Sequence, residues 1–290
     1  MCSESELKEW GRKQSLTRRQ FGAAGAMGAV AACTPMAGQS TPAAAGGEIT
    51  MRGVEFAAPA GTLDGEFYYR EGTRAPGVVF WPDIAGIRPA KRQMARRLAE
   101  AGYAVLLANP YYRDVKGQQF EDFAAFASGG GFQKVSPWRG RFDSETIMMD
   151  QRAAADWLMQ QDAVAKDRGL GTQGYCMTGS FALIGPAAAP QMRAGCSFHG
   201  GGLVTDKPGS PHRQFQSGKH YLVAIAKNDD AKAPGDKTAL REAAQAAGAI
   251  AEIEVYPADH GWCVPDSPSY DEAAAERAWA RMLETYKAAL

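Results

Sequence analysis

Histidine is scarce in this sequence: four residues in 290, so chemistry that needs an imidazole has few candidates. Cysteine is scarce too, at Cys2, Cys33, Cys176, Cys196 and Cys263. No Cys-x-x-Cys pair occurs, and removal of an N-terminal segment would leave a number too small or too odd for a disulfide framework. A Cys196 to Cys263 bridge stays open, although Cys196 lies in an apparent core strand where a buried thiol is the commoner occupant. Net charge is missing as well: 32 basic residues cancel 32 acidic ones, and no Lys/Arg tract follows Arg18-Arg19. The broad basic footprint of a nucleic-acid binder is therefore absent. The weakly apolar stretch from Gly22 to Ala32 is too short to span a bilayer, and no internal repeat shows.

The N-terminus has the marks of an export signal. Lys8, Arg12 and Lys13 precede Thr17-Arg18-Arg19-Gln20-Phe21 and the Gly/Ala stretch, which is a twin-arginine pattern. Val30-Ala31-Ala32-Cys33 is similar to the lipobox of bacterial lipoproteins, where the cysteine is lipidated and anchors the mature chain to a membrane. The other reading is ordinary cleavage near Ala45. In both, Thr34 to Gly47 is a flexible linker. Residues 1–47 are thus expected to be signal and linker, and 48–290 one α/β domain, a length that buries a sizeable core.

Strand and helix signals alternate along that domain. Ile49 to Ala57 and Gly65 to Arg70 read as an opening antiparallel pair, and Gly77 to Trp81 as a central strand. Strands follow at Tyr103 to Ala108, Gly171 to Tyr175, Ala194 to Phe198, Tyr221 to Ala226 and Ala251 to Tyr256. Helical periods occupy Arg88 to Ala101, Ser144 to Gln161, Phe181 to Ala189, Asp236 to Ala247 and Asp271 to Ala289. This alternation predicts a mostly parallel sheet covered on both faces. Gly117 to Gly140 fits neither period and is expected to lie over the mouth of a site; Phe120, Phe123 and Phe126 are spaced as a helix face packed on the core.

Chemistry concentrates at Gly174-Tyr175-Cys176-Met177-Thr178-Gly179, between a buried strand and a small-residue helix. That is the context of the nucleophile elbow of α/β-hydrolases, with cysteine in place of serine. A turn tight enough to lift a side chain above the sheet needs small neighbours, which Gly174 and Gly179 supply. The base expected for the thiol is His260, in the loop after the last strand. His199, His212 and His220 read as structural. Triads of this fold run nucleophile, acid, histidine, so the acid is sought in Asn228-Asp229-Asp230. Asp230, four residues before Pro234, is preferred to Asp229. Two backbone N–H groups, of Met177 and Ile84, are the expected oxyanion hole. Asp83 would either cap the helix near Arg88 or hold the thiol protonated until substrate arrives.

Together these residues resemble the dienelactone hydrolase family, over nearly all of the chain after Gly47. The resemblance is carried by Gly174-Tyr175-Cys176-Met177, the Asp230 turn, His260-Gly261-Trp262 and the loop Pro82-Asp83-Ile84-Ala85-Gly86. It implies a Cys-His-Asp triad that hydrolyses lactones or activated esters through a thioester, with no metal or organic cofactor. It also implies that Arg113 contacts a substrate carboxylate as a bidentate donor. Trp262, beside His260, is expected in the substrate pocket. The sequence departs from the family at Asp83 (glutamate there), at Thr178 (glycine there) and at Cys263-Val264-Pro265-Asp266, which lacks a second carboxylate-binding arginine. Two other readings remain: a binding or scaffold protein on a hydrolase fold, and redox chemistry at Cys176.

Overall fold

The computed structural model describes residues 47–290. The export signal, Cys33 and nearly all of the linker expected from the sequence lie outside the described residues. Eight strands form one sheet: β1 (Ile49–Ala58), β2 (Gly61–Arg70), β3 (Gly77–Trp81), β4 (Ala104–Ala108), β5 (Leu170–Tyr175), β6 (Met192–Phe198), β7 (His220–Ala226) and β8 (Ile250–Tyr256). Their order is β1-β2-β4-β3-β5-β6-β7-β8. β2 pairs antiparallel with β1 and β4, and every pairing from β4 to β8 is parallel. Helices α1 (Pro89–Glu100) and α8 (Glu272–Ala289) contact one face. Helices α4 (Ser144–Gln160) and α5 (Gly179–Ala188) pack on the other, while α7 (Asp236–Ala247) sits beside β8. This is the α/β-hydrolase architecture.

β3, β4 and β5 are buried at every residue because helices cover both faces of a parallel sheet. Side chains still alternate along β3: Val78 and Phe80 enter the core under α1 and α8, and Val79 and Trp81 the core under α4 and α5. β5 carries polar side chains into this interior and satisfies them there. Gln173 donates to the Tyr175 hydroxyl at 2.9 Å, and Gln151 of α4 donates to Thr172 Oγ1 at 3.2 Å.

Three local differences from the sequence expectation bear on the site. β2 begins at Gly61, four residues early, because Pro59-Ala60 closes a hairpin whose ladder with β1 runs from Ala58↔Gly61 to Ile49↔Arg70. Pairing over ten positions outweighs the turn-like composition of Gly61 to Asp64. The Gly117 to Gly140 stretch holds two short helices, α2 (Phe123–Ser128) and α3 (Gly131–Arg139), parted by Gly129-Gly130; Asp122 starts α2 by accepting from Ala125 N at 2.7 Å. Phe120, Phe123 and Phe126 do pack, and what they pack around includes Cys176 and Ile84. Finally, β7 runs directly into a helical segment, α6 (Lys227–Lys232), where a plain turn was expected.

Candidate active site

β5 delivers Cys176 to its end, and the chain reverses there through a 3-10 turn over Cys176–Thr178 into α5. Cys176 has φ of 55°, the left-handed region that side chains with a Cβ seldom adopt. The turn admits no larger neighbour: a Cβ at Gly174 would stand 1.9 Å from the Thr178 carbonyl oxygen, and one at Gly179 would stand 2.5 Å from Gly200 Cα. Thr178 earns its place where glycine was expected. Its Oγ1 accepts from Tyr175 N at 2.9 Å and reaches the carbonyl oxygens of Trp81 and Pro82 at 3.0 and 2.9 Å, pinning the elbow to the loop after β3.

His260 stands in the loop after β8. Its Nδ1 donates to Asp229 Oδ2 at 2.6 Å, and the ring shares a buried chamber with Cys176. His260 N donates to Asn228 Oδ1 at 2.8 Å and Lys227 N to Ala258 O at 3.0 Å, so the two loops that carry acid and base are stitched together. Burial alone would push the imidazole down. Cys176 and the Asp229 carboxylate outweigh it and raise His260 to about 10.

The preference for Asp230 is corrected here. Residues 227–232 wind as α6, where successive side chains point about 100° apart. Asp229 faces His260, whereas both Asp230 oxygens lie 2.8 Å from Lys237 Nζ on α7. Spacing to Pro234 could not reveal this, because it presumes an extended turn.

The expected oxyanion groups lie on two loops held by one side chain. The Tyr111 hydroxyl donates to Ile84 O at 2.7 Å and lies 3.5 Å from Met177 Sδ. In the β3–α1 loop the N–H groups of Ala85 and Gly86 bond back to Asp83, at 3.0 and 2.9 Å, and the Ile84 N–H takes part in neither bond. Tyr111 carried no signal in the sequence beyond its place beside Arg113.

Asp83 does not cap α1, whose N-cap is Arg88. Its oxygens lie 2.7 and 2.9 Å from Arg88 and 2.8 Å from Lys91 Nζ, all three groups buried. Burial raises a carboxyl, but the two cations prevail and hold Asp83 well below its ordinary range. Arg88 extends the cluster to Asp266, at 2.7 and 2.8 Å, and Asp266 in turn accepts from Phe123 N at 3.0 Å. Phe123 is thereby fixed over a small chamber that it lines with Asp83, Cys176, His199, His260, Gly261, Val264 and Ser267. Beside Met177 opens a cleft of about 780 Å3, lined by Phe132, Phe142, Ile147, Phe181 and Ile184 among others.

The sequence of residues 63–290 matches the profile of the dienelactone hydrolase family. This chain belongs to that family. Among relatives, a protein of Escherichia coli (strain K12) named as a carboxymethylenebutenolidase is 27% identical over 217 residues, 73% of this chain and 76% of its own. A Bradyrhizobium protein named as a 2-oxo-3-(5-oxofuran-2-ylidene)propanoate lactonase is 32% identical over 127 residues, 44% of this chain and 46% of its own. The fold is shared with a structure named as a dienelactone hydrolase from Klebsiella pneumoniae, at TM-score 0.69 and 22% identity, covering 83% of this chain and 99% of that one. This dienelactone hydrolase family member is accordingly a lactone or ester hydrolase.

Two expected substrate contacts of this family member are corrected by its structure. Arg113 gives its guanidinium to Asp150 of α4, with bonds of 2.6 and 2.8 Å, and Tyr112 donates to the same carboxylate at 2.7 Å. Asp150 sits on the buried phase of α4 with Ile147, Gln151 and Ala154, a pattern legible in the sequence as a carboxylate in need of a partner. Trp262 is not among the residues lining the chamber, and its ring meets that of His199 edge-on at 6.1 Å. It is fully buried and stacks on Tyr256, centroids 4.8 Å apart at 8°, because Gly261 at φ 95° turns the chain between residues 260 and 262. Trp81 is core as well, edge-on to Phe181 at 5.4 Å.

Cys196 and Cys263 are free and buried, and no bridge joins them. Burial pushes the Cys196 thiol up to about 12 and raises Cys263 as well, so both are held protonated. His212 is paired with Ser210 at 2.8 Å and His220 begins β7, as structural residues do. His199 is different: it lines the chamber.

Proposed function

We propose that the family member hydrolyses its lactone or ester through a Cys176-His260-Asp229 triad and a thioester intermediate. One observation carries this reading: the imidazole that bonds Asp229 through one nitrogen lines the same chamber as a cysteine held at an elbow of φ 55°. The Cys176 sulfur attacks the carbonyl carbon, and the charge that develops on oxygen is met by the Met177 and Ile84 N–H groups. The C–O bond breaks, the leaving oxygen takes the proton from His260, and water then hydrolyses the thioester with His260 as base.

The names carried by relatives point to unsaturated lactones bearing a carboxylate. Arg113 and Arg88 are each bidentate to an internal carboxylate. The cleft beside Met177 combines aromatic and aliphatic walls with Arg139, Lys207, Asp143 and Glu145. We infer that neither Arg113 nor Arg88 receives a substrate carboxylate. In a panel of matched substrates with and without a carboxylate, the advantage of the carboxylate-bearing member in kcat/KM is expected to stay below about tenfold, the scale of one well-made charged contact. A larger advantage would overturn the inference.

The twin-arginine segment is proposed to send the folded domain out of the cytoplasm, followed either by lipid attachment at Cys33 or by ordinary cleavage near Ala45. Mass spectrometry of the protein recovered from its own host is expected to find a first residue at acylated Cys33, or near Ala45 if the signal is cleaved in the ordinary way. A chain beginning at Met1 or Cys2 would rule out both.

A further inference from the structure

Two titratable side chains of the chamber, Asp83 and His199, have no part in the proposed triad. His199 ends β6 and continues at φ of 39°, a second non-glycine residue in the left-handed region. It is 1% exposed, and neither ring nitrogen has a hydrogen-bond partner beyond the residue's own backbone. An unpartnered buried nitrogen and a strained backbone both cost stability, and such costs collect where function requires them.

The surroundings say what the ring serves. The His260 ring lies 4.7 Å away, centroid to centroid, at 63°. Both rings line the chamber that holds Cys176, whose volume of about 10 Å3 is the least that admits one water. Burial, then the charge of His260, hold His199 well below its ordinary value, so it is neutral and offers one donor and one acceptor. Of the other polar groups of the chamber, Asp83 is committed to Arg88 and Lys91, and Ser267 Oγ accepts from Ser269 N at 3.2 Å.

We propose that His199 is a catalytic residue of the second half-reaction, holding the water that hydrolyses the Cys176 thioester. The inference rests on the thioester reading above. Acylation needs only the sulfur and the imidazole that shares its chamber, whereas deacylation needs a third body placed beside His260. The water oxygen bonds to the acyl carbon while one of its protons passes to His260. The C–S bond then breaks, its electron pair returns to the Cys176 sulfur, and the carboxylic acid departs. The thiolate and imidazolium are restored, and His199 gains and loses no proton overall.

His199→Phe tests this by keeping a ring against His260 while removing both nitrogens. With p-nitrophenyl acetate the variant is expected to release a burst of about one equivalent at the wild-type rate. Steady-state turnover should fall on the order of 10- to 100-fold, the scale of a misplaced reacting group. The acyl mass should accumulate on Cys176, and hydroxylamine, a strong nucleophile needing no such placement, should restore turnover. His199→Gly, suited to the positive φ, provides a second variant, expected to be slow alone and quickened by added imidazole. If burst and steady state fall together in both variants, the ring only supports His260 and the proposal is overturned. Unchanged kinetics overturn it equally. If wild-type protein shows no acyl adduct and no response to hydroxylamine, the thioester reading itself fails, and this inference with it.

Discussion

Cys176→Ala is expected to lower hydrolysis of an activated ester by at least about 1000-fold while leaving the fold intact, since losing the nucleophile removes a route and not merely a contact. Residual rate should come from the oxyanion hole and binding alone. The fold is expected to survive because the sulfur contributes little packing that a methyl cannot replace, and Gly174, Thr178 and Gly179 hold the elbow through backbone and hydroxyl contacts that Ala leaves untouched. Circular dichroism and a melting curve check the fold, and peptide mapping after brief exposure to the ester should find the acyl mass on the wild-type Cys176 peptide only. Cys196 and Cys263, held protonated by burial, should stay unmodified. Undiminished hydrolysis by the variant would refute the nucleophile. A reversible oxidant-induced disulfide at Cys176, together with undiminished hydrolysis, would favour the redox reading instead.

The second large effect separates two adjacent carboxylates. Asp229→Asn is expected to lower kcat by about 100- to 10,000-fold, because an amide at that position can favour the wrong tautomer of His260 and cannot stabilise its cation. Asp230→Asn should change kcat by no more than about threefold: it breaks a partly exposed pair with Lys237, of a kind worth about 0–1 kcal/mol. An independent readout is the titration of the His260 ring by NMR. Its midpoint is raised by Cys176 and Asp229, so removing the Asp229 charge should move it down, while Asp230→Asn leaves it in place. The reverse ranking of the two variants would restore Asp230 as the acid and require α6 to unwind.

Much of the site was legible in the chain because its signals are local. A buried strand followed by Gly-Tyr-Cys-Met-Thr-Gly marks an elbow without knowledge of any distant residue, since the tightness of the turn is written in the side chains that must be small. His260 was legible by elimination among four histidines, each placed by the strand before it. The α/β alternation and the antiparallel opening pair followed from periodicity.

What the sequence by itself determined, then, is the order of elements, the elbow and the identity of its sulfur, because these depend on residues within a few positions of one another. Only the tertiary structure decided which aspartate meets His260, that Arg113 is spent on Asp150, that Trp262 faces the core and that His199 faces the chamber. The physical reason is the same in each case. Whether a charged or aromatic side chain is available depends on the direction in which it leaves the backbone and on the partners that the fold brings to it. A helical turn in place of a bend, or one glycine at positive φ, reverses that direction without altering the local pattern that a sequence displays.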